Sequence, residues 1–311
     1  MENNLERLIF ESYLGSAAEL SLEATLDCGQ CFRWQRDDSF MLRRGSGGQF
    51  RSGGVCPNNS NDNSNCSDSG VIISYRGIVC GLPLFVWSDG ISVWGRGFGV
   101  VEFWRDYFDL GRDYGVILSQ FNSHPFTQAA IKFGRGLRVL RQDTWETLGS
   151  YIISQNNNIP KICSSISKLC VLCGGRIDFC GCEFYSFPSA VAIASLGESD
   201  LRQIGLGYRA EYLLHVSRAV AEGKINLEVI KKLPTEAARE KLLQLRGVGP
   251  KVANCVLLFG MGKLDAFPID TWIAKAAEYY DNKLDGSQFG KYAGIAQEYI
   301  FYYIRKGINK K

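Results

Sequence analysis

The sequence contains no long hydrophobic run and no large excess of charge of either sign. No window approaches the ~18 consecutive apolar residues that a membrane-spanning helix needs, so we expect no transmembrane segment. The first residues, MENNLE, lack a basic region followed by an apolar one, so we expect no secretory signal. Lysine and arginine number 35 against 32 aspartates and glutamates. This balance permits a nucleic-acid partner without indicating one, because a local basic surface matters more than the total charge.

Cysteine is abundant, with 11 in the chain, but none follows Cys255. That absence excludes an iron–sulfur cluster held by four cysteines in the C-terminal part of the sequence. Without a secretory signal, the default state of the thiols is reduced. Cys28-Gly-Gln-Cys31 has the spacing of a redox motif. Because no βαβ pattern surrounds it, we favour an ordinary turn or strand end.

A second group of cysteines could bind zinc through four thiolates. It consists of Cys170, Cys173, Cys180 and Cys182. One residue separates the second pair, whereas about two to four usually separate paired zinc ligands. We therefore favour scattered small residues near a hairpin over a zinc site, and we expect no bound metal.

The hydrophobic pattern divides the chain into two parts, and roughly two domains of ~150 residues suit its length of 311. Residues 1–115 alternate apolar and polar side chains between Gly and Asp turns, which predicts strands of an antiparallel sheet. Residues 116–311 place apolar side chains three and four residues apart, which predicts a helical bundle. Residues 45–70 are mostly Gly, Ser and Asn, so we expect a disordered insert in a hairpin.

The segment LQLRGVGPKVANC, residues 243–255, places Gly-Val-Gly-Pro between two helical patterns. Gly247 and Gly249 allow backbone angles that other residues resist, and Pro250 suits the first position of a helix. The pattern predicts a helix–hairpin–helix with its hairpin at 246–251, whose free backbone N–H groups could bind a phosphate. It indicates binding to the DNA backbone independent of sequence, although an ordinary tight turn between helices has the same pattern.

Lys251 lies in the first turn of the second predicted helix, where the helix dipole disfavours a positive charge. A neutral amine is a nucleophile, but the usual role of such a lysine is a solvated phosphate contact. Cys255 follows four residues later on the same face. Asp270 precedes another helical pattern and suits its N-cap. Across a cleft from Lys251, the same carboxylate could instead assist nucleophilic attack, and only geometry distinguishes the two roles.

The segments LRGVGPKVANCVLLF and AFPIDTWI together resemble the helix–hairpin–helix Gly-Pro-Asp (HhH-GPD) superfamily of DNA glycosylases, and the spacing of Lys251 and Asp270 resembles its bifunctional members. Four further segments resemble the 8-oxoguanine DNA glycosylase family, and together they span both predicted domains. They are TLDCGQCFRW (25–34), RQDTWETLGSYIISQNNNIPKI (141–162), GLGYRAEYL (205–213) and YAGIAQEYIF (292–301). The resemblance implies an α+β fold, in which an N-terminal antiparallel β-sheet domain like that of TATA-binding protein packs on an all-helical C-terminal glycosylase domain.

The resemblance also implies the roles of the reacting residues. Lys251 would attack the sugar C1′ of a nucleotide turned out of the duplex, displace the damaged base and hold the DNA as a Schiff base until β-elimination nicks the strand. Asp270 would support the attack and stabilise the positive charge that develops on the sugar.

For the base pocket, the resemblance implies four further residues. The carbonyl of Gly29 would accept the N7–H that 8-oxoguanine has and guanine lacks, so one hydrogen bond could discriminate between them. Phe301 and Cys255 would cover the two faces of the base, and Gln297 would read its Watson–Crick edge. Gln297 and Phe301 are four residues apart, so one helical face can present both.

The opposite strand has its own implied contacts. Asn156 would fill the vacated space in the duplex, Arg209 would contact the cytosine and Tyr208 would form a wedge beside it. Lys161 stands where the animal enzymes have an arginine. Because lysine lacks a planar fork of donors, we expect looser discrimination of the base opposite the lesion.

The resemblance implies a DNA glycosylase and abasic-site lyase, and we expect it to need no cofactor and to act as a monomer on double-stranded DNA with 8-oxoguanine opposite cytosine. We expect it inside the cell with DNA, and we favour the bacterial cytoplasm and nucleoid over a nucleus. One alternative is the same fold acting on another damaged base, against which Gly29, Gln297 and Phe301 argue. A second is a DNA-binding module without catalysis, against which Lys251 and Asp270 argue. A third is a thiol-redox or zinc protein, which metal analysis would test.

Overall fold

The computed structural model describes residues 8–37, 73–121 and 123–308, so the predicted insert at 45–70 lies outside the described residues. The N-terminal part forms a five-stranded antiparallel sheet, which confirms the fold predicted from the alternating pattern. The strands lie in the order β1-β5-β4-β3-β2 across the sheet. Their bounds are β1 Ile9–Ser16, β2 Gln35–Arg36, β3 Ile73–Val79, β4 Leu82–Ser88 and β5 Ser92–Phe98.

Two short helices cover the sheet and connect it to the rest of the chain. They are α1 (Leu22–Leu26) and α2 (Val101–Tyr107). Leu22 and Leu26, four residues apart, pack into the core of the sheet, while Ala24 on the other face of α1 packs into the helical core. Helix α1 therefore joins the two hydrophobic cores.

The C-terminal part is mainly helical, as the three- and four-residue spacing predicted. Twelve further α-helices follow α2 along the described chain, with the bounds α3 Tyr114–Ser119, α4 Pro125–Phe133, α5 Thr144–Ser154, α6 Ile159–Cys173, α7 Ala190–Ala194, α8 Glu198–Gln203, α9 Arg209–Ala221, α10 Leu227–Lys232, α11 Thr235–Leu243, α12 Pro250–Cys255, α13 Thr271–Ala276 and α14 Ala293–Tyr302. Two π-helical segments, Val256–Gly260 and Tyr303–Ile308, continue α12 and α14, and 3-10 turns span Ala277–Tyr280 and Ser287–Tyr292.

Helix α5 is the centre of the helical part, since nearly all of its residues are buried. Asp143 caps its N-terminus by accepting a hydrogen bond from the backbone N–H of Glu146 at 2.8 Å. It packs against α6, α9, α12 and the π-helical segment after α12. The residues at the C-terminal end of α5 therefore lie next to the start of α12, where the predicted nucleophile is located.

The helical part also contains a two-stranded hairpin, which the prediction of an all-helical domain did not include. Strands β6 (Arg176–Phe179) and β7 (Cys182–Tyr185) pair antiparallel. Phe179 and Phe184 pack their rings against Phe85 of the large sheet, with ring centres 5.9 Å apart in each pair. Because these apolar side chains alternate with polar ones, the hairpin attaches the helical part to the outer face of the sheet.

The predicted domain boundary at residue 115 falls in the region where the two cores meet. Trp104 and Phe108 belong to the core of the sheet, and Tyr114 belongs to the helical core. The boundary itself stays a prediction.

Among the described helices, none is long and apolar enough to cross a lipid bilayer.

Candidate active site

The hairpin between α11 and α12 has the predicted form, since Pro250 is the first residue of α12 and Gly249 is its N-cap. Gly247 has a φ of +83°, and a Cβ atom there would collide with the ring of Tyr212. This position therefore requires glycine for both its backbone angle and its packing.

The backbone of Gly249 differs from the prediction. Its φ of −92° is accessible to any residue, so it is not the unusual angle that the sequence led us to expect. A Cβ atom on Gly249 would have no heavy atom within 4 Å. The glycine at this position leaves open space in front of the N-terminus of α12 without being required by the fold.

Lys251 is half-buried in the first turn of α12, with its Nζ 4.7 Å from the centre of the Tyr151 ring. Tyr151, on α5, is buried and donates a hydrogen bond to the carbonyl of Gln30 at 3.2 Å. Cys255 lies one turn after Lys251 and is 3% exposed. Burial raises the pKa of the Cys255 thiol to about 11, while the nearby positive charge of Lys251 lowers it. Cys255 is therefore a neutral thiol at neutral pH.

Asp270 caps α13, as predicted, by accepting hydrogen bonds from the backbone N–H groups of Trp272 and Ile273, both at 2.9 Å. Both bonds go to Oδ1, and Oδ2 has no hydrogen-bond partner among the residues that the structure describes. Lys251 and Asp270 both act electrostatically on the Cys255 thiol, in opposite directions. Both groups therefore lie near the Cys255 thiol, and Asp270 has the capping role that the sequence predicted.

Gly29 enters the same site from the N-terminal part of the chain. Its φ is +104°, and a Cβ atom there would lie 2.6 Å from Arg305 Nη1 and 3.6 Å from Phe301 Cε1. Arg305 donates hydrogen bonds to the carbonyls of Asp27, at 2.8 Å, and Cys28. Only glycine fits this turn, and the arginine holds the turn against the C-terminal end of α14.

Helix α14 contributes Gln297 and Phe301, four residues apart as predicted. Gln297 is 3% exposed, yet its Oε1 has no hydrogen-bond partner among the described residues. Phe301 is half-buried, with the guanidinium of Arg305 5.6 Å from its ring centre. A buried amide oxygen without a partner is costly, so it marks a place where a bound group could supply a donor.

A second group of predicted residues lies at the loop between α5 and α6. Asn156 is exposed and has a φ of +44°, in the left-handed region. Arg209 is 7% exposed and donates to the carbonyls of Gln155, at 2.6 Å, and Asn156, at 2.8 Å. Gln155 in turn donates to the carbonyl of Gly247 at 2.9 Å. Arg209 therefore holds the Asn156 loop, and the loop is tied to the hairpin.

The two other predicted residues of this group are exposed. The guanidinium of Arg209 lies over the Tyr208 ring, with its Cζ 4.6 Å from the ring centre. Lys161 is in the first turn of α6, and its backbone N–H donates to the side chain of Asn158 at 3.0 Å. The described residues bind only its backbone, which leaves the ammonium group facing solvent.

Two family models match the chain. One, "8-oxoguanine DNA glycosylase, N-terminal domain", matches residues 99–148, and the other, "HhH-GPD superfamily base excision DNA repair protein", matches residues 150–285. The crystal structure of a Clostridium acetobutylicum 8-oxoguanine glycosylase/lyase, bound to double-stranded DNA with cytosine opposite 8-oxoG, is 32% identical with a TM-score of 0.78. That match covers 97% of this chain and 99% of the other. The chain belongs to the 8-oxoguanine DNA glycosylase family of the HhH-GPD superfamily.

Two further relatives agree with this assignment. The structure of MBOgg1 with a low-affinity DNA ligand is 33% identical, covers 99% of both chains and has a TM-score of 0.80. The N-glycosylase/DNA lyase OGG1 of Arabidopsis thaliana is 29% identical over 304 residues, which span 91% of this chain and 77% of the plant protein. The similarity to these 8-oxoguanine glycosylases extends over the sheet as well as the helical part.

The sequence suggested two cysteine groups as possible redox or zinc sites. The group at 170–182 lies apart from the candidate active site, whereas Cys28 lies beside it. Cys170 and Cys173 are near the end of α6, and Cys180 and Cys182 are in the β6–β7 hairpin. Within the described ranges, no group of three or more His, Cys, Asp or Glu side chains could hold a metal ion. Cys28 and Cys31 are free thiols, both buried, and burial raises the pKa of each.

Four residues of the site were not identified from the sequence, namely Gln30, Tyr151, Glu298 and Arg305. Gln30 and Tyr151 lie inside segments that carried the family resemblance, but their packing roles are not visible there. Glu298 had a detectable signal, because it is a charged residue inside the apolar run AGIAQEYIF. A charge in a helix that the pattern predicts to be buried needs a special environment.

Proposed function

We propose that this protein removes 8-oxoguanine from double-stranded DNA in base-excision repair and nicks the strand by β-elimination. The observation that supports this proposal is a series of contacts that links two sets of residues. Lys251 Nζ lies 4.7 Å from the centre of the Tyr151 ring, and the Tyr151 hydroxyl donates to Gln30, the residue after Gly29. The Gly29 turn in turn lies next to Phe301. An extruded nucleotide between them could place its sugar at the lysine and its base at the glycine.

The chemistry begins at the sugar. The Lys251 amine attacks C1′, a C–N bond forms, and the bond from C1′ to the base breaks with its electron pair leaving on the base. The remaining carboxylate oxygen of Asp270 stabilises positive charge on the sugar, since only its Oδ1 is used for capping α13. The bond from C1′ to the ring oxygen O4′ then breaks, O4′ takes a proton, and a Schiff base forms between Lys251 and C1′. Loss of a proton from C2′ then expels the 3′ phosphate by β-elimination.

The base is recognised by contacts that differ between 8-oxoguanine and guanine. The Gly29 carbonyl accepts N7–H from the oxidised base, whereas guanine would present a lone pair to it. Phe301 covers one face of the base and the neutral thiol of Cys255 covers the other. The unpartnered Oε1 of Gln297 accepts a hydrogen bond from the Watson–Crick edge. Each of these contacts is supported by the position of the residue around the site.

The duplex is held by the hairpin and by the loop between α5 and α6. The backbone N–H groups around Gly247 and Gly249 bind a phosphate at the N-terminus of α12. Asn156 fills the vacated stack and Tyr208 wedges beside it. Arg209, with three of its N–H groups given to carbonyls, orients this loop and keeps two N–H groups for the cytosine. Lys161 supplies positive charge near the opposite strand.

The proposed partner is therefore double-stranded DNA with 8-oxoguanine opposite cytosine. We propose that the protein acts as a monomer, in the compartment that holds the DNA. Nucleophilic attack by a lysine and β-elimination need no metal or organic group, so we propose that no cofactor is required.

Borohydride trapping tests the proposal directly. Borohydride reduces a Schiff base to a stable amine, so the wild-type protein should form a covalent complex with a duplex that carries 8-oxoguanine opposite cytosine. Lys251→Gln should abolish this complex, while Lys241→Gln, which changes an exposed lysine on α11, should retain it. Failure of the wild-type protein to trap any DNA would falsify the lyase assignment.

A panel of damaged bases tests the substrate. Excision should be fastest for 8-oxoguanine opposite cytosine and slow for alkylated purines and oxidised pyrimidines, because those bases lack an N7–H donor for the Gly29 carbonyl. Faster excision of any of these bases would replace the proposed substrate and leave the mechanism intact.

A further inference from the structure

Glu298 lies behind the site and takes no part in the chemistry derived so far. Helix α14 is held close to the segment that leads to Asp270, because Gly294 lets it approach. A Cβ atom on Gly294 would collide with Leu258 and would lie 2.8 Å from the carbonyl of Ala266. This close packing brings Glu298, about one turn further along α14, to the back of the Lys251–Asp270 region.

The Glu298 side chain is buried and only partly bonded, since Cys28 is its side-chain hydrogen-bond partner. It is 3% exposed, and its Oε2 has no hydrogen-bond partner among the described residues. Arg305, the nearby cation on the following π-helical segment, directs its donors to the carbonyls of Asp27 and Cys28 instead. A permanently ionised carboxylate would be costly in this position, whereas one that gains a proton is not.

Titratable and charged groups from several elements act electrostatically on Glu298 or on its neighbours. They are Lys251 and Cys255 on α12, Asp270 before α13, Cys28 and Cys31 after α1, Tyr151 on α5 and Arg305 after α14. Burial raises the pKa of the Glu298 carboxyl to about 7, and the negative charge of Asp270 raises it further, while Cys28, Arg305 and Lys251 lower it. The carboxyl therefore exchanges between its two protonation states near neutral pH.

We propose that Glu298 accepts the proton that Lys251 must lose before its amine attacks the sugar. One N–H bond of the ammonium breaks and one O–H bond forms on Glu298, so an ammonium and a carboxylate become an amine and a carboxylic acid. The buried site keeps the same total charge. The Cys255 thiol interacts electrostatically with both groups, which places all three side chains near one another.

Asp270 is less suited to accept this proton. Its Oδ1 already accepts hydrogen bonds from two backbone N–H groups that cap α13. In the proposed function, Asp270 must also remain negative while positive charge develops on the sugar. The carboxyl of Glu298 can take the proton without removing the negative charge of Asp270. In this proposal Glu298 accepts the proton and Asp270 stabilises the sugar.

The inference rests on the proposed function and predicts a particular pH dependence. In single-turnover excision of 8-oxoguanine, the wild-type rate should rise between pH 6 and 8 as Glu298 ionises. Glu298→Gln should slow excision at least about tenfold at pH 7, lack this inflection, and approach the wild-type rate at high pH, where water can take the proton. Nicking of a preformed abasic site also needs the free amine, so it should show the same change.

A matched control is Glu146→Gln on α5. Burial raises the pKa of the Glu146 carboxyl also to about 7, but this residue pairs with Arg33 at 3.9 Å, away from Lys251. We expect it to keep the wild-type pH profile and rate. If Glu146→Gln loses the inflection in the same way, the effect does not belong to the site carboxyl and the inference is overturned.

Other outcomes overturn the inference while leaving the proposed function intact. One is a Glu298→Gln protein with the wild-type pH profile. Another is a loss of rate that is equal at every pH and limited to 8-oxoguanine, with abasic-site nicking unchanged, since that would mean that Glu298 only supports the Gly29 turn. If Glu298→Gln does not fold, the wild-type protein alone decides, because a rate that does not rise between pH 6 and 8 excludes the proton acceptor.

Discussion

Gln30 and Gln297 are both buried glutamines beside the same site, but their side chains are bonded in opposite ways. Gln30, 1% exposed, donates to the carbonyls of Thr25 and Arg138 and accepts from the backbone N–H of Leu140. Gln297, 3% exposed, has an Oε1 without any partner in the described part of the chain. The amide of the first glutamine is bonded within the fold, and the proposed function gives the second a hydrogen bond from the substrate.

The same contrast recurs in other pairs around the site. In Asp270, Oδ1 caps α13, while Oδ2 has no hydrogen-bond partner within the described ranges. In the hairpin, Gly247 is required by the packing of Tyr212, whereas Gly249 borders empty space. A buried polar group that is fully bonded indicates a structural role, and one that is left open indicates a place for a ligand. Substitutions that separate stability from activity test this contrast.

The largest expected effect comes from Asp270→Asn. Asparagine is a good N-cap, so the fold should keep its thermal stability and the protein should still bind DNA. The loss of the negative charge should slow excision by at least ~100-fold in single-turnover measurements. Near-normal turnover would reduce Asp270 to a cap and remove it from the comparison.

The two glutamines themselves should respond differently to alanine. Gln30→Ala removes three buried hydrogen bonds to the backbone, and the Arg138 carbonyl and the Leu140 N–H lose the partner that Gln30 gave them. It should therefore lower the free energy of unfolding by roughly 2–4 kcal/mol, measured by urea denaturation. Gln297→Ala removes an oxygen that had no partner, so stability should change by less than ~1 kcal/mol while excision of 8-oxoguanine slows by about tenfold or more.

The contrast between the glutamines fails if Gln297→Ala loses stability, or if Gln30→Ala keeps its stability. Gln297→Ala should also nick a preformed abasic site at the wild-type rate, because that substrate has no base to read. A large loss of stability in Gln297→Ala would show that its amide supports the fold.

Alanine at the two hairpin glycines should have different effects, on stability at Gly247 and on DNA affinity at Gly249. Gly247→Ala forces a side chain into the left-handed region and against Tyr212, so it should lower the free energy of unfolding by about 2 kcal/mol. Gly249→Ala should leave stability nearly unchanged, since its backbone angle is ordinary. Its methyl group occupies the approach to the N-terminus of α12, so affinity for undamaged duplex should fall a few-fold in a titration at fixed salt. Equal affinities for wild type and Gly249→Ala would mean that no phosphate approaches there.

The smallest expected effect is that of Lys161→Arg. Arginine offers a planar fork of donors where lysine offers a single charge, so the preference for cytosine opposite the lesion should rise a few-fold. The measurement is the ratio of excision rates with each of the four bases opposite 8-oxoguanine. If the ratio does not change, Lys161 is not a reader of the opposite base.

Much of this arrangement could be predicted from local patterns. The hairpin 246–251, Pro250 at the start of α12 and the cap formed by Asp270 all follow from residue types at short spacing. Gly249 shows the limit of such patterns, because glycine in a turn predicts an unusual backbone angle and the structure has an ordinary one. A hairpin near the 170–182 cysteines was expected, but the β6–β7 strands were left out of the all-helical domain because each is only four residues long.

The sequence by itself determined the succession of strands and helices and the presence of a lysine, a cysteine and an aspartate near one hairpin. Only the tertiary structure decided which polar groups are bonded and which are open. The reason is distance along the chain, since Gln30 binds Leu140 across 110 residues and Arg305 binds Cys28 across 277. Short-range spacing specifies helices and caps, but the state of a buried oxygen depends on partners that only folding brings to it.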